Sequence, residues 1–411
     1  MRAAVSILII IMILLTLVLP VMGLAESGTA VSAPNLFSEA AILLDADSGQ
    51  ILFDKNMHQV MYPASITKVV TAMLALRLAD PADVVTMSYD AVFSVGRDTS
   101  HIALDTGEQI TLEQALYALA IASANDASNG VAELVGGSIE GFVGLMNQAA
   151  RDAGALATNF TNAHGLPDNN HYTTAYDMAV LTAEALKVPG FIEIFGSRFY
   201  EIPPTNRQPL PRLMSTRNDL LNGETPCEGV LISKTGWTRL AEGTQTTAAR
   251  RNGVTLIAVV LKSAQPEEKY LDTLALFDYG FNQFSQVTLP RDTLTRTAVA
   301  LPSEAGEARS ADFAAGQDIS FLLPADKSRD DIAIIFGTPE VSAAGNEASM
   351  IARIMIKGAD PEDETQILAS VPLTARLAVI ETTAATNEPA VSGELSETRN
   401  SGPWLLFLPI I

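Results

Sequence analysis

Cysteine is nearly absent: one residue, Cys227, in 411. No intrachain disulfide can form, and a lone thiolate cannot build a zinc site of the CxxC kind. Histidine is almost as scarce, and His58, His101, His164 and His171 show no metal-ligand spacing. Bases are few as well. Against 47 acids stand 26 Lys and Arg, a formal net charge of −21. That balance excludes the concentrated basic face of a nucleic-acid binder. Nothing repeats at a fixed period, so a repeat array is excluded. What is present is apolar: hydrophobic residues make up 48%. A disordered chain is thereby excluded, and the length supports two or three domains with ample core.

Long apolar runs are missing too, except at the N-terminus. Arg2 precedes an almost unbroken run from Ala3 to Leu19, then Pro20 and the small residues Gly23 and Ala25. Residues 1–25 read as a secretory signal peptide with cleavage after Ala25. The competing reading is an uncleaved membrane anchor, because about 17–20 apolar residues just span a bilayer. Either way the body is expected outside the cytoplasm, in the periplasm or on the outer face of the cytoplasmic membrane. The chain ends on a short apolar tail, 404–411, too short to span a membrane as a helix. Only weak, reversible membrane contact is expected of it.

Between these ends the texture divides. Ala40–Asp45 and Gln50–Asp54 flank a turn, the mark of a hairpin. From Ser65 to Ala79 the pattern is helical and apolar almost all round, which predicts a buried helix. Thr111 and Gln114 form a capping-box pattern opening a helix to about Ala122. Further helices are expected over 127–135, 139–153, 174–187 and 266–280. Leu231–Thr235 and Val254–Lys262 read as strands joined across a turn. From 288 to 380 short alternating pieces predict a small all-β domain, followed by a linker at 381–403 rich in Thr, Ala, Ser and Glu.

Three short motifs carry chemistry. Ser65-Ile66-Thr67-Lys68 puts a hydroxyl and an amine one helical turn apart. A serine needs an adjacent base, and a desolvated lysine near a helix N-terminus can be one. Ser123-Ala124-Asn125 lies where one helix ends and another begins, so a hydroxyl and an amide project into a loop. Lys234-Thr235-Gly236 ends a strand, where a cation and a hydroxyl can meet a carboxylate and glycine admits a close backbone. Each motif alone is weak. Their order and spacing, on a helix start, a helix–helix loop and a strand, are specific.

Together the motifs resemble those of the penicillin-recognising serine acyl-transferases. Further stretches, Pro63-Ala64-Ser65, Asp126-Ala127, Asn162-Ala163-His164-Gly165-Leu166, Trp237-Thr238 and Asp278-Tyr279-Gly280-Phe281, make 36–287 similar to the serine-type D-alanyl-D-alanine carboxypeptidases, the low-molecular-weight penicillin-binding proteins. The resemblance implies an α/β (α+β) penicillin-binding, β-lactamase-like transpeptidase fold, an antiparallel sheet with a helical subdomain, beside the all-β region. It implies peptidoglycan stem peptides as substrates, β-lactams as covalent inhibitors, and no cofactor or metal. It also implies roles. Ser65 is the nucleophile, Lys68 its base, and Ser123 the proton carrier to the departing D-alanine. Asn125 holds the substrate amide, Lys234 and Thr235 the terminal carboxylate, and Gly236 borders the peptide.

Departures leave alternatives open. The family usually follows its third motif with Ala-Gly, where this chain has Arg239 to Thr244, including Leu240 and Glu242. The family's arginine cluster after the next strand is missing, with Lys262 a partial substitute. A catalytically weak, wall-binding scaffold is one alternative. A β-lactamase or esterase is another, although no E-x-x-L-N stretch occurs between 126 and 233. His164 is expected to be structural, Asp45 and Asp47 to serve a turn, Cys227 to be inert, and Asp360–Glu364 to be a solvated loop.

Overall fold

A computed structural model describes residues 32–301, 310–343 and 346–377. The expected signal peptide at 1–25, the linker at 381–403 and the tail at 404–411 lie outside these residues. Among the described residues no helix is long and apolar enough to cross a membrane.

The expected hairpin forms as β1 (Ala40–Asp45) and β2 (Ile51–Lys55). Asp45 closes its turn by accepting from Ser48 N–H at 3.3 Å, the role expected of it. The chain then leaves the sheet for a helical layer. This contains α1 (Lys68–Leu78), α2 (Tyr89–Phe93), α3 (Leu112–Tyr117), α4 (Asn125–Gly136), α5 (Ile139–Asp152), α6 (Ala175–Leu186), α7 (Phe191–Phe195) and α8 (Asp219–Asn222). Two small ladders accompany it, β3 (Val84–Thr86) with β4 (Gln109–Thr111), and β5 (Phe199–Ile202) with β6 (Arg212–Ser215). The chain returns as β7 (Val230–Thr238), β8 (Glu242–Arg251) and β9 (Val254–Ser263), and α9 (Glu268–Gln283) follows. The resulting antiparallel sheet has the order β2-β1-β9-β8-β7.

Burial explains the layering. In β9, Ile257, Val259 and Leu261 join the core under the helices, while Leu256, Ala258 and Val260 pack with Leu276 and Phe277 of α9. A strand covered on both faces reads as a continuous apolar run. α1 is buried nearly all round, with Val69, Val70, Ala72, Met73 and Ala75 inaccessible. The predicted capping box at Thr111 and Gln114 forms, with bonds of 2.9 and 3.2 Å.

One expectation is corrected. The runs around Leu231 and Val254 are not neighbours across a turn, because β8 lies between them. Its sequence, EGTQTTAARR, lacks large apolar residues although Gly243 to Ala249 are buried. Its hydroxyls are instead paired internally. Thr244 donates to Pro63 O at 2.8 Å, Thr246 meets Thr182 at 2.9 Å, and Thr247 meets Ser233 at 2.8 Å. Such a strand is invisible to a search for β-branched apolar alternation, because polar pairing replaces apolar burial.

Beyond α9 the described residues are β-structured. Phe284–Leu289 pairs with Ile319–Pro324. The strands Thr295–Ala300, Ser310–Ala315, Ile367–Arg376, Glu347–Ile356 and Ile332–Phe336 form a second antiparallel sheet around Phe313, Phe321 and Ile354. Gln50 clips the two parts together, donating to Leu322 O at 2.7 Å and accepting from Leu322 N–H at 2.8 Å.

Candidate active site

Ser65 stands in a single 3₁₀ turn, Ala64–Thr67, that runs into α1 at Lys68. Ala64 has φ +50°, a left-handed conformation costly for a residue with a Cβ. The turn is clamped from outside. Thr67 donates to Ala64 O at 2.8 Å and lies 2.9 Å from His171 Nε2. Gly165, at φ +87°, presses on the same carbonyl, and a Cβ there would fall 1.9 Å from Ala64 O. On the opposite side Gly236 of β7 abuts the turn, and a Cβ there would fall 2.7 Å from Ser65 N. Glycine at both positions is therefore dictated by close backbone approach.

Lys68 has no solvent exposure. Its Nζ lies 3.1 Å from Ser65 Oγ, 2.7 Å from Asn125 Oδ1 and 2.7 Å from the carbonyl of His164. Burial, reinforced by the neighbouring Lys234, holds its pKa well below the ordinary lysine value. Desolvation, one of the two causes expected from the sequence, is the largest. Asn125 is buried, and its Nδ2 donates to Thr99 Oγ1 at 3.1 Å. Its Oδ1 holds Lys68, and one of its two Nδ2 hydrogens is engaged by Thr99.

Ser123 terminates a π-helical turn, Ala118–Ala122, in the left-handed conformation at φ 56°. That kink ends one helix and lets α4 begin two residues later, leaving the hydroxyl in the gap. Lys234 Nζ donates to Ser123 Oγ at 3.1 Å and to Thr235 O at 2.8 Å. Burial lowers the Lys234 pKa to about 7. Ser65, Ser123, Lys234, Thr235 and Gly236 all line one cleft of about 1020 Å³, with Lys68 and Asn125 beneath it. The three motifs, far apart in sequence, converge there.

The cleft also holds residues that motif reading missed. Arg217 lines it, and so does Lys269, a largely buried cation in the first turn of α9. Lys262 does not; its Nζ pairs with Glu39 at 2.7 Å. Besides Lys234, the cations lining the cleft are Arg212, Arg217 and Lys269, the last with its amine donating to Pro266 O and lying 4.2 Å from the Tyr270 ring centroid. The signal available was an amine one turn into a helix that starts just after the strand. His164 contributes its carbonyl to Lys68, while its ring Nδ1 accepts from Leu166 N–H at 3.1 Å, a structural role as expected.

Comparison with known proteins gives one consistent result. A family model described as D-alanyl-D-alanine carboxypeptidase, peptidase S11, matches residues 27–265. The D-alanyl-D-alanine carboxypeptidase DacF of Bacillus subtilis is 29% identical over 345 residues, covering 82% of this chain and 85% of the relative. DacC of Escherichia coli is 32% identical over 272 residues, covering 63% of this chain and 64% of the relative. The crystal structure of penicillin binding protein 5 from Haemophilus influenzae superposes with a TM-score of 0.66 at 25% identity, over 84% of this chain and 98% of that one.

Proposed function

The chain belongs to the peptidase S11 family of D-alanyl-D-alanine carboxypeptidases, and from that premise we propose an exported enzyme that removes the terminal D-alanine of peptidoglycan stem pentapeptides through a Ser65 acyl-enzyme. One observation carries the reading: the contact of Ser65 Oγ with a fully buried Lys68 whose other two contacts are carbonyl oxygens. A neutral amine has two N–H donors and one lone pair. With the donors spent on Asn125 Oδ1 and His164 O, the lone pair is left for the Ser65 hydroxyl. Lys68 takes that proton as Ser65 Oγ attacks the penultimate D-alanine carbonyl.

The remaining groups complete the reaction. β7 is the edge strand of its sheet, so an extended peptide can pair along its outer side, where Ser233 O is held by Asn218 and Thr235 O by Lys234. The N–H of Ser65, with those around Trp237 and Thr238, would hold the developing oxyanion. Ser123, held by Lys234, relays the proton that Lys68 took from Ser65 to the leaving amine, which returns Lys68 to its neutral form. Water, deprotonated by Lys68, then cleaves the ester and restores Ser65. Penicillins would enter the same path and stop at the ester. The domain division at 288 and the signal peptide at 1–25 belong to the same proposal. The test is direct: purified protein should release D-alanine from a pentapeptide and bind fluorescent penicillin covalently at Ser65. Turnover without any labelling of Ser65 would refute the acyl-enzyme.

Two further results are expected. The first concerns pH. A carboxylate needs Lys234 protonated, yet the free site loses that proton near pH 7. The bound carboxylate favours the charged form, so binding above pH 7 must take up a proton. KM for carboxylate-ended peptides should then rise by up to about tenfold per pH unit above that point. A peptide ending in a carboxamide should show no such rise, and equal profiles for the two would exclude Lys234 as the carboxylate site. The second concerns Lys269. Lys269→Ala should raise KM for the acid peptide about tenfold, the scale of one charge-assisted hydrogen bond. Lys262→Ala should leave it unchanged.

A further inference from the structure

Two segments of the cleft wall are joined by a buried ion pair that the chemistry above does not use. Glu108 is fully buried, and Arg212 of β6 meets it in a fork, with Nη1–Oε1 at 2.6 Å and Nη2–Oε2 at 2.9 Å. The same guanidinium donates to Ala103 O at 3.1 Å, and Glu108 also accepts from Thr205 Oγ1 at 2.6 Å and from Asp105 N–H at 2.9 Å. Every oxygen of this carboxylate is therefore engaged.

Its position gives the pair its meaning. Ser100 to Ala103 and Arg212 to Thr216 are two segments of the cleft wall, joined where Arg212 meets Ala103 O. The first segment also braces the catalytic floor: Asn125 N–H donates to Ser100 O at 2.8 Å and Leu104 N–H to the Asp126 carboxylate at 3.0 Å. A second bridge runs parallel to the ion pair, with Asn206 accepting from Gln109 N–H at 2.9 Å and donating to Gly107 O at 2.8 Å. A buried ion pair adds little net stability over apolar residues of similar size. What it does supply is a fixed fork geometry between two segments.

We propose that Glu108 and Arg212 are positioning residues that set the spacing of these two segments of the cleft wall, and so the affinity for the stem peptide that lies along it. This rests on the carboxypeptidase reading. The pair touches no reacting atom. It acts on the β5–β6 hairpin and on residues 99–104, and through them on the groove that an extended peptide must fill. A small penicillin, held by Ser65 and the Lys234 motif, depends on it less.

The experiment separates position from stability. Glu108→Gln leaves the Arg212 charge uncompensated, Arg212→Met leaves the buried Glu108 carboxylate without its cation, and both should lower the melting temperature. The double variant Glu108→Leu/Arg212→Met removes both charges and should recover most of it. KM for the pentapeptide should rise at least fivefold in all three, with kcat per penicillin-titrated site within about threefold of wild type (a factor of three being less than 1 kcal/mol). A KM in the double variant that returns with the melting temperature would overturn the proposal, as would a wild-type KM in all three. Turnover by the wild-type protein carries the parent reading, and the KM of the variants carries this one, so the two fail separately.

Discussion

Replacement of Ser65 by alanine is expected to abolish D-alanine release and covalent penicillin labelling while leaving the fold intact. Losing the nucleophile of a serine hydrolase costs roughly a millionfold in kcat. The fold should tolerate the change because Ser65 is only half-buried and its Oγ meets Lys68 Nζ at 3.1 Å, a contact of the chemistry and not of the core. The clamps on the turn remain: Thr67 on Ala64 O, Gly165 behind it, and Gly236 in front. Intact-mass detection after incubation with penicillin reads the outcome, with thermal unfolding as the control. Labelling equal to wild type would assign the nucleophile elsewhere.

Lys68→Met should cost about two to four orders of magnitude in acylation, the range of positioned general-base catalysis. Methionine approximates the length of the stem, but it cannot accept the Ser65 proton. It also leaves Asn125 Oδ1 and His164 O without their donor, a cost of about 1–3 kcal/mol for each buried group. Removing a desolvated amine offsets part of that loss, so the protein should remain folded with a lower melting temperature. The pH profile gives the sharper sign. Acylation needs neutral Lys68, so the wild-type rate must fall as pH drops through the lowered pKa of this amine. In Lys68→Met that acid limb should vanish, leaving a low rate that is flat with pH. An acid limb retained in the variant would move the base to another residue.

Both predictions rest on residues visible in the sequence, and the reason is local. Ser65 and Lys68 are three apart on a helical turn, so the contact between them follows from helix geometry alone. The hairpin at Ala40–Lys55, the buried helix after Ser65 and the capping box at Thr111 are legible for the same reason, since each is encoded within a few residues. Even the covered strand Val254–Ser263 shows in its unbroken apolar run.

What escaped was set by distant neighbours. Strand Glu242–Arg251 has the composition of a surface segment, and only pairing of its threonines with Pro63, Thr182 and Ser233 makes it a central strand. Asn125 reads as a substrate ligand in its motif, and its further contact with Lys68, across 57 residues, is made only by the fold. Lys262 was the cation nearest the expected place, yet Glu39, adjacent to the first strand, occupies it, and Lys269 stands in the cleft instead.

The scarcity that opens the sequence also divides in this way. With one cysteine and few bases, the chain by itself determined that stability comes from core burial and that an anionic substrate must be held by a few local cations. It also carried the proposed chemistry, because a serine, a lysine and a glycine-bordered strand were present in order. Only the tertiary structure decided which lysines are buried enough to lose their protons, which cation faces the cleft, and how wide that cleft stands. Those properties depend on desolvation and on contacts between segments a hundred residues apart, and neither is a property of any short stretch of chain.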